Sequence, residues 1–257
     1  MIFHRCRFYC PSKGANCLSH QKSSNQFYNE FYLHTDWRHP GLQKGINRIQ
    51  LYFKISALFL HNFPSPGCRI LDVGCGTGFY THCMNACGCH ADGIDYSEVA
   101  IYQASLNWGK DCQFYIADAQ DLTAFAGQYD VIFARGLSLY NTRDPAAAIR
   151  LTNHYLSLVR PGGFVLVILA SDLSGKDTGW VNLTYSELRS LFAGTQGQMA
   201  GPIFFDYWIT QAILSFRISP LSRFFLKTIS SRSIAGLLGR LLRARGARLP
   251  CIFLFTK

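Results

Sequence analysis

The sequence is short of acid: 15 Asp and Glu stand against 25 Lys and Arg, for a formal net charge of +10. No acid follows Asp206, whereas nine Lys and Arg do, so almost all of the excess lies in the final segment. Basicity confined in this way points to an anionic partner or surface at that segment, not to nucleic-acid binding by the whole chain. Long apolar runs are also missing. The longest, Ile203 to Phe216, is broken by Asp206 and Gln211 and falls short of the about 20 apolar residues that a membrane span requires. With 9 Pro and 22 Gly in 257 residues and no internal repeat, collagen-like, solenoid and disordered readings fall away. The first residues, MIFHRCRFYC, carry bases among aromatics with no apolar core and cleavage site behind them, unlike a secretory signal. The expected compartment is the cytoplasm, with the basic segment as a contact for a membrane surface.

Cysteine is plentiful, at ten residues. In a chain of this size without a secretory signal, these read as reduced thiols that pack as small apolar groups. The set His4, Cys6, Cys10, Cys17 and His20 lacks any Cys-x-x-Cys pair, so no metal site is expected there.

Organisation follows from composition along the chain. Residues 1–25 have no acid and no periodicity and read as a loose arm. Residues 26–66 form an N-terminal cap: a short helix over QFYNEFYLHTDW, a turn at Arg38 to Gly41, and an amphipathic helix from Leu42 to about Leu60, ended by Pro64-Ser-Pro-Gly67. Strands and helices then alternate through 67–203. CRILDV, HADGID, CQFYIAD, YDVIFA and GGFVLVILA read as strands, with helices at about 79–87, 97–107 and 145–158. Near-continuous apolar strands of this kind belong to a parallel α/β sheet covered on both faces. Thr184 to Glu187 has capping-box spacing, 198–205 reads as a sixth strand and CIFLF as a seventh. A helical basic insertion occupies 204–249, and 250–257 closes the core. Within the insertion, Arg240 and Arg243 among leucines make a basic amphipathic helix. Three partners fit such a helix: a lid packed on the sheet, an anionic membrane surface, or an acidic carrier delivering an acyl substrate.

The chemistry-bearing feature is Ile70-Leu-Asp-Val-Gly-Cys-Gly-Thr-Gly78, a buried strand opening into three alternate glycines. Glycines there let the backbone turn sharply and approach a ligand with no Cβ between. An acid, Asp95, ends the second strand 21 residues after Gly74, where it can accept from both ribose hydroxyls, and Ala117-Asp118-Ala119 ends the third. The loop is Gly-x-Gly-x-Gly, distinct from the dinucleotide pattern Gly-x-Gly-x-x-Gly.

In this combination the chain resembles the class I S-adenosylmethionine-dependent methyltransferases over about Cys68 to Ala170, including the Pro161-Gly-Gly turn before strand five. The resemblance implies a seven-stranded, mostly parallel, Rossmann-like α/β sheet with the N-terminal cap and the late helical insertion as additions. It implies S-adenosylmethionine as cofactor and S-adenosylhomocysteine as product. Asp72, Gly74, Cys75, Gly76 and Gly78 would hold the methionine and ribose part, Asp95 with Tyr96 the ribose, and Asp118 with Ala119 the adenine. Tyr32 matches the aromatic that closes over the cofactor in many relatives. Arg135 is a candidate anchor for a carboxylate of cofactor or substrate.

Nucleic-acid amino methyltransferases often carry an Asn/Asp-Pro-Pro-aromatic motif after strand four; here the segment is ARGLSLYN, so a small, apolar or acyl-type acceptor is expected. Methyl transfer needs the acceptor held in line, water excluded, and a proton removed if the acceptor is a hydroxyl. Candidates for these tasks are Tyr140, His34 and Arg135, with Ser138, Asn141, Tyr28 and His39 near them; His154, mid-helix, reads as structural. An acceptor that ionises readily would need no base. Two other readings stand beside this one: an RNA or protein methyltransferase using the basic segment, and an inactive cofactor-binding partner of another enzyme.

Overall fold

Alternate residues of each central strand point to opposite sides, and in this chain both sides are apolar. Ile70 faces one layer of core with Phe133, Leu166, Ile252 and Leu254; Leu71 and Val73 face a second with Ile132, Val165, Phe253 and Phe255. In the computed structural model, which describes residues 24–34, 39–60, 67–177, 180–215, 219–244 and 246–257, these strands form one sheet with helices on both faces. The set His4 to His20 and most of the expected arm lie outside the described residues, as does Arg38 of the expected turn.

The strands are β1 (Arg69–Val73), β2 (His90–Asp95), β3 (Phe114–Ile116), β4 (Val131–Arg135), β5 (Phe164–Ser171), β6 (Gln198–Phe204) and β7 (Leu249–Thr256). Their order across the sheet is β3-β2-β1-β4-β5-β7-β6. β1 to β5 are mutually parallel, with Val73 opposite Ile94 on one side and Ala134 on the other. β7 runs antiparallel to both β5 and β6, so β6 is parallel to β5 and ends on the same edge as β1 and β4.

Helices α1 (Ser24–His34) and α2 (Leu42–Phe59) make the cap, and α3 (Phe79–Ala86), α4 (Glu98–Trp108), α5 (Pro145–Leu158) and α6 (Tyr185–Ser190) connect the strands. Their starts are chemically marked. Ser97 accepts the Ala100 amide, Asp144 accepts the Ala146 amide ahead of Pro145, and Thr184 and Glu187 form a reciprocal capping box. α2 and α3 touch closely because a Cβ on Gly45 would stand 2.5 Å from Cys83 Sγ and 2.7 Å from the Phe79 ring. The segment between β6 and β7 folds as three helices, α7 (Tyr207–Leu214), α8 (Ser219–Ile229) and α9 (Arg232–Ala244).

The third strand departs from its sequence reading. The expected run 112–118 is paired only over Phe114–Ile116, and Tyr115 and Ile116 are exposed. It is an edge strand with β2 as its sole neighbour in the sheet, so it lacks the second covered face that its apolar residues suggested.

Candidate active site

The glycine loop leaves β1 at the carboxyl edge of the sheet. Gly74, Gly76 and Gly78 have φ of 74°, 55° and 77°, a left-handed path that side chains with Cβ rarely follow. The amides of Gly74 and Cys75 both donate to the Ile94 carbonyl at 2.9 Å, which ties the loop to β2. Asp95, one residue further on, accepts the Gly76 amide on Oδ2 and the Ser97 amide on Oδ1, each at 2.9 Å. Burial pushes the Asp95 carboxyl upward, and the donated backbone N–H groups from Ser97, Gly76 and Tyr96 oppose that rise.

The cap closes on this loop. Asn29 Oδ1 of α1 accepts from Ser97 Oγ at 2.7 Å and from the Val99 amide at 3.4 Å, and the Tyr32 carbonyl accepts from Gln103 Nε2 at 3.3 Å. This anchoring sets the Tyr32 hydroxyl 2.7 Å from where a Cβ of Gly76 would lie. Burial raises the Tyr32 pKa well above its usual range and the nearby Asp95 charge adds to it, so the hydroxyl stays protonated beside the loop. His39 joins from the other side of the cap, with Nε2 2.8 Å from Thr77 Oγ1 and its ring stacked on Phe79 at 4.5 Å; burial lowers its pKa.

Below the loop lies a buried polar group. Asp72 Oδ2 accepts from Thr81 Oγ1 at 2.7 Å, and burial lifts its pKa to about 7 against the pull of that bond and of Arg135. Arg135 ends β4 with its guanidinium 4.3 Å from the centre of the Tyr80 ring, while Arg48 Nη1 donates to the Tyr80 hydroxyl at 3.0 Å. One tyrosine therefore carries two guanidinium groups, one on its face and one on its hydroxyl. Among the described residues no carboxylate lies within ion-pair distance of either arginine, and Arg48 Nε is buried without a partner.

The residues named from sequence thus fall into two groups. Asp72, Gly74, Cys75, Gly76, Gly78, Asp95, Tyr32 and Arg135 gather at one end of β1, β2 and β4. Tyr96 follows Asp95 and is 39% exposed. Asp118 is exposed after β3 and accepts the Gln120 amide, and the Ala119 carbonyl accepts from the Tyr155 hydroxyl. Tyr140 lies apart: it is 2% exposed, packed against Tyr155 and Phe192, with its hydroxyl 3.0 Å from Thr152 Oγ1. Asn141 Oδ1 accepts the Val181 amide, a bond that ties the loop after β4 to the loop after β5. Ser138 opens the short 3-10 turn between them, and His154 Nε2 accepts the Leu122 amide at 3.4 Å. Tyr28 stands in α1 edge-on to Phe27, and His34 is exposed at the helix end. Arg48, Tyr80, Thr77 and Asn29 were not legible from spacing, although Tyr80 follows the glycine loop by only two residues.

The donor set suits S-adenosylmethionine. Each Asp95 oxygen takes one backbone N–H and keeps a lone pair for a ribose hydroxyl. The arginine pair lacks an acid, as a site for a carboxylate would.

Comparison with known proteins agrees. Residues 70–163 match the methyltransferase domain family. The chain is 37% identical over 103 residues to the ubiquinone biosynthesis O-methyltransferase of Aromatoleum aromaticum, an alignment covering 38% of this chain and 42% of that protein. With the enzyme of the same name from Xanthomonas axonopodis pv. citri it shares 30% over 160 residues, 58% of this chain and 63% of the relative. The match thus spans less than two thirds of these relatives' length. Among solved structures, phosphoethanolamine N-methyltransferase 2 of Haemonchus contortus superposes with a TM-score of 0.55 at 17% identity, over 90% of this chain and 56% of that one. Magnesium protoporphyrin IX methyltransferase of Synechocystis PCC 6803, with S-adenosylhomocysteine bound, gives 0.51 at 15% identity over 91% and 95%. At such identities the likeness is one of fold. Taken with the loop, the acid after β2 and the domain match, this chain carries a class I S-adenosylmethionine-dependent methyltransferase domain.

Proposed function

We propose that the protein transfers the methyl group of S-adenosylmethionine to an oxygen of a small, apolar acceptor. The observation that carries this reading is the hydrogen-bonded union of the Gly76 amide with the Asp95 carboxylate under the cover of Tyr32. The relatives named for ubiquinone biosynthesis favour an oxygen acceptor of apolar character. When bound, S-adenosylmethionine supplies a sulfonium-activated methyl group that the acceptor oxygen takes by in-line displacement, leaving S-adenosylhomocysteine.

The chain's own residues do the rest. Asp95 accepts from the ribose hydroxyls while its backbone donors oppose the rise in pKa that burial causes. Arg48 and Arg135 give positive charge for the carboxylate of the methionine part. Tyr32 and α1 exclude water from the loop. His39 is the proton acceptor for a hydroxyl substrate: its lowered pKa keeps the imidazole neutral at pH 7, and Thr77 orients the ring. His34, exposed at the end of α1, is the alternative base.

Calorimetric titration with S-adenosylmethionine, S-adenosylhomocysteine and NAD tests the cofactor; binding of the two sulfur compounds and not of NAD is expected, and the reverse would overturn the proposal. Turnover is then sought with apolar phenols and catechols. With an active acceptor, His39→Gln should remove the acidic limb of the pH–rate profile and His34→Gln should keep it; the opposite result moves the base to His34.

A further inference from the structure

Each helix of the segment between β6 and β7 turns large apolar side chains outward. α8 buries Ser222 and Leu226 toward the protein, and its other side presents Leu221 and Phe224, at i and i+3. α9 buries Ala235 and presents Leu237 and Leu241, again four apart, beside the exposed Arg240. On α7 Trp208 is 73% exposed, the most open of the large apolar side chains among the described residues, and Phe224 and Leu237 are 62% and 56% exposed. Single exposed apolar residues are ordinary; three consecutive helices that all turn them outward are not.

Charge says what fits this face. Lys227 on α8 and Arg232 and Arg240 on α9 are exposed, and no acid occurs anywhere after Asp206. Exposed aromatics and leucines interleaved with cations match the boundary of a bilayer that carries anionic headgroups. No helix among the described residues is long and apolar enough to cross a membrane, so contact would be from one side.

Topology gives the face a direction. β6 ends on the edge of the sheet where β1 and β4 end, and α7 and α8 lean on α2 of the cap, with Asn47 Nδ2 3.5 Å from the Tyr207 hydroxyl and Arg223 5.5 Å over the Phe59 ring. Gly239 of α9 comes against Asp172 and Leu173 at the end of β5. The segment therefore leaves from and returns to the edge that carries the glycine loop.

We propose that the outer face of α7, α8 and α9 docks the protein peripherally on an anionic lipid bilayer. Docking is independent of the proposed methyl transfer and is tested without it. The full chain is sedimented with sucrose-loaded vesicles of phosphatidylcholine alone, or with about one third phosphatidylglycerol. At least tenfold more binding to the anionic vesicles is expected, reduced by raised salt. The double variant Phe224→Ser/Leu237→Ser should lose that binding at least tenfold with an unchanged melting temperature, because both side chains are exposed. Leu106→Ser, an exposed leucine on α4, should bind as the wild type does. Equal binding to neutral and anionic vesicles would overturn the proposal, as would a double variant that still binds. Capture of an acidic acyl carrier protein, lost in the double variant while vesicles are ignored, would also overturn it and assign the face to a protein.

Discussion

Asp95 and Gly76 are joined by a 2.9 Å hydrogen bond from backbone amide to carboxylate, so the acid that ends β2 also fixes the middle of the glycine loop. Asp95→Ala removes both the ribose acceptor and the anchor of two amides. Its affinity for S-adenosylmethionine should fall by more than tenfold, with Asp95→Asn between it and the wild type because the amide oxygen still accepts one N–H. Unchanged affinity on titration would remove the acid after β2 from the site.

The Tyr32 hydroxyl and ring act separately. Tyr32→Phe keeps the ring and should cost no more than one hydrogen bond to the cofactor, about 1 kcal/mol or about fivefold in affinity, whereas Tyr32→Ala opens the cover and should cost more. Equal effects of the two in the same titration would mean that the ring excludes nothing.

Arg48→Gln and Arg135→Gln should weaken S-adenosylhomocysteine and leave 5′-methylthioadenosine, which lacks the amino-acid portion, nearly unchanged. A parallel loss for both ligands would show that the arginines support the fold and do not meet the carboxylate.

Asp72 gives a pH dependence with a definite sign. Burial raises its folded pKa to about 7 from the ordinary 3.8, so the folded state holds the proton more tightly than the unfolded one. Its contribution is fully present below about pH 4 and is lost as pH rises toward 7. Asp72→Asn, which keeps an acceptor for Thr81, should therefore gain stability relative to the wild type between pH 5 and pH 8 in thermal melts without ligand. A constant difference across that range would mean that Asp72 ionises normally.

Tyr140→Phe should lower stability by about 1 kcal/mol through loss of the bond to Thr152 and leave kcat unchanged. A fall in kcat at unchanged melting temperature would return Tyr140 to the reacting centre.

Tyr140 also marks where sequence reasoning reaches its limit. Its place after β4 put it at the ligand edge, but the short turn Ser138–Tyr140 sends the ring back into the core, and such a turn has no signature in the residues that form it. The glycine loop, Asp95 and the caps at Ser97 and Thr184 were readable because each depends on neighbours within a few positions. Arg48, Tyr80 and Arg135 meet from α2, α3 and β4, and no local pattern announces a contact between three elements so far apart in the chain. The composition of β3 marks it as a strand, yet whether it sits at the centre or the edge of a sheet is decided by the other strands.

The direction of β7 has a consequence of its own. Because it runs opposite to β6, the three helices between them depart from and return to a single edge, with Phe204 and Cys251 already paired at their base. Such a segment can be lengthened, shortened or exchanged as a cassette while the cofactor half of the molecule keeps its register. The surface that this segment presents can thus diverge in evolution at a different speed from the glycine loop and the acid after β2.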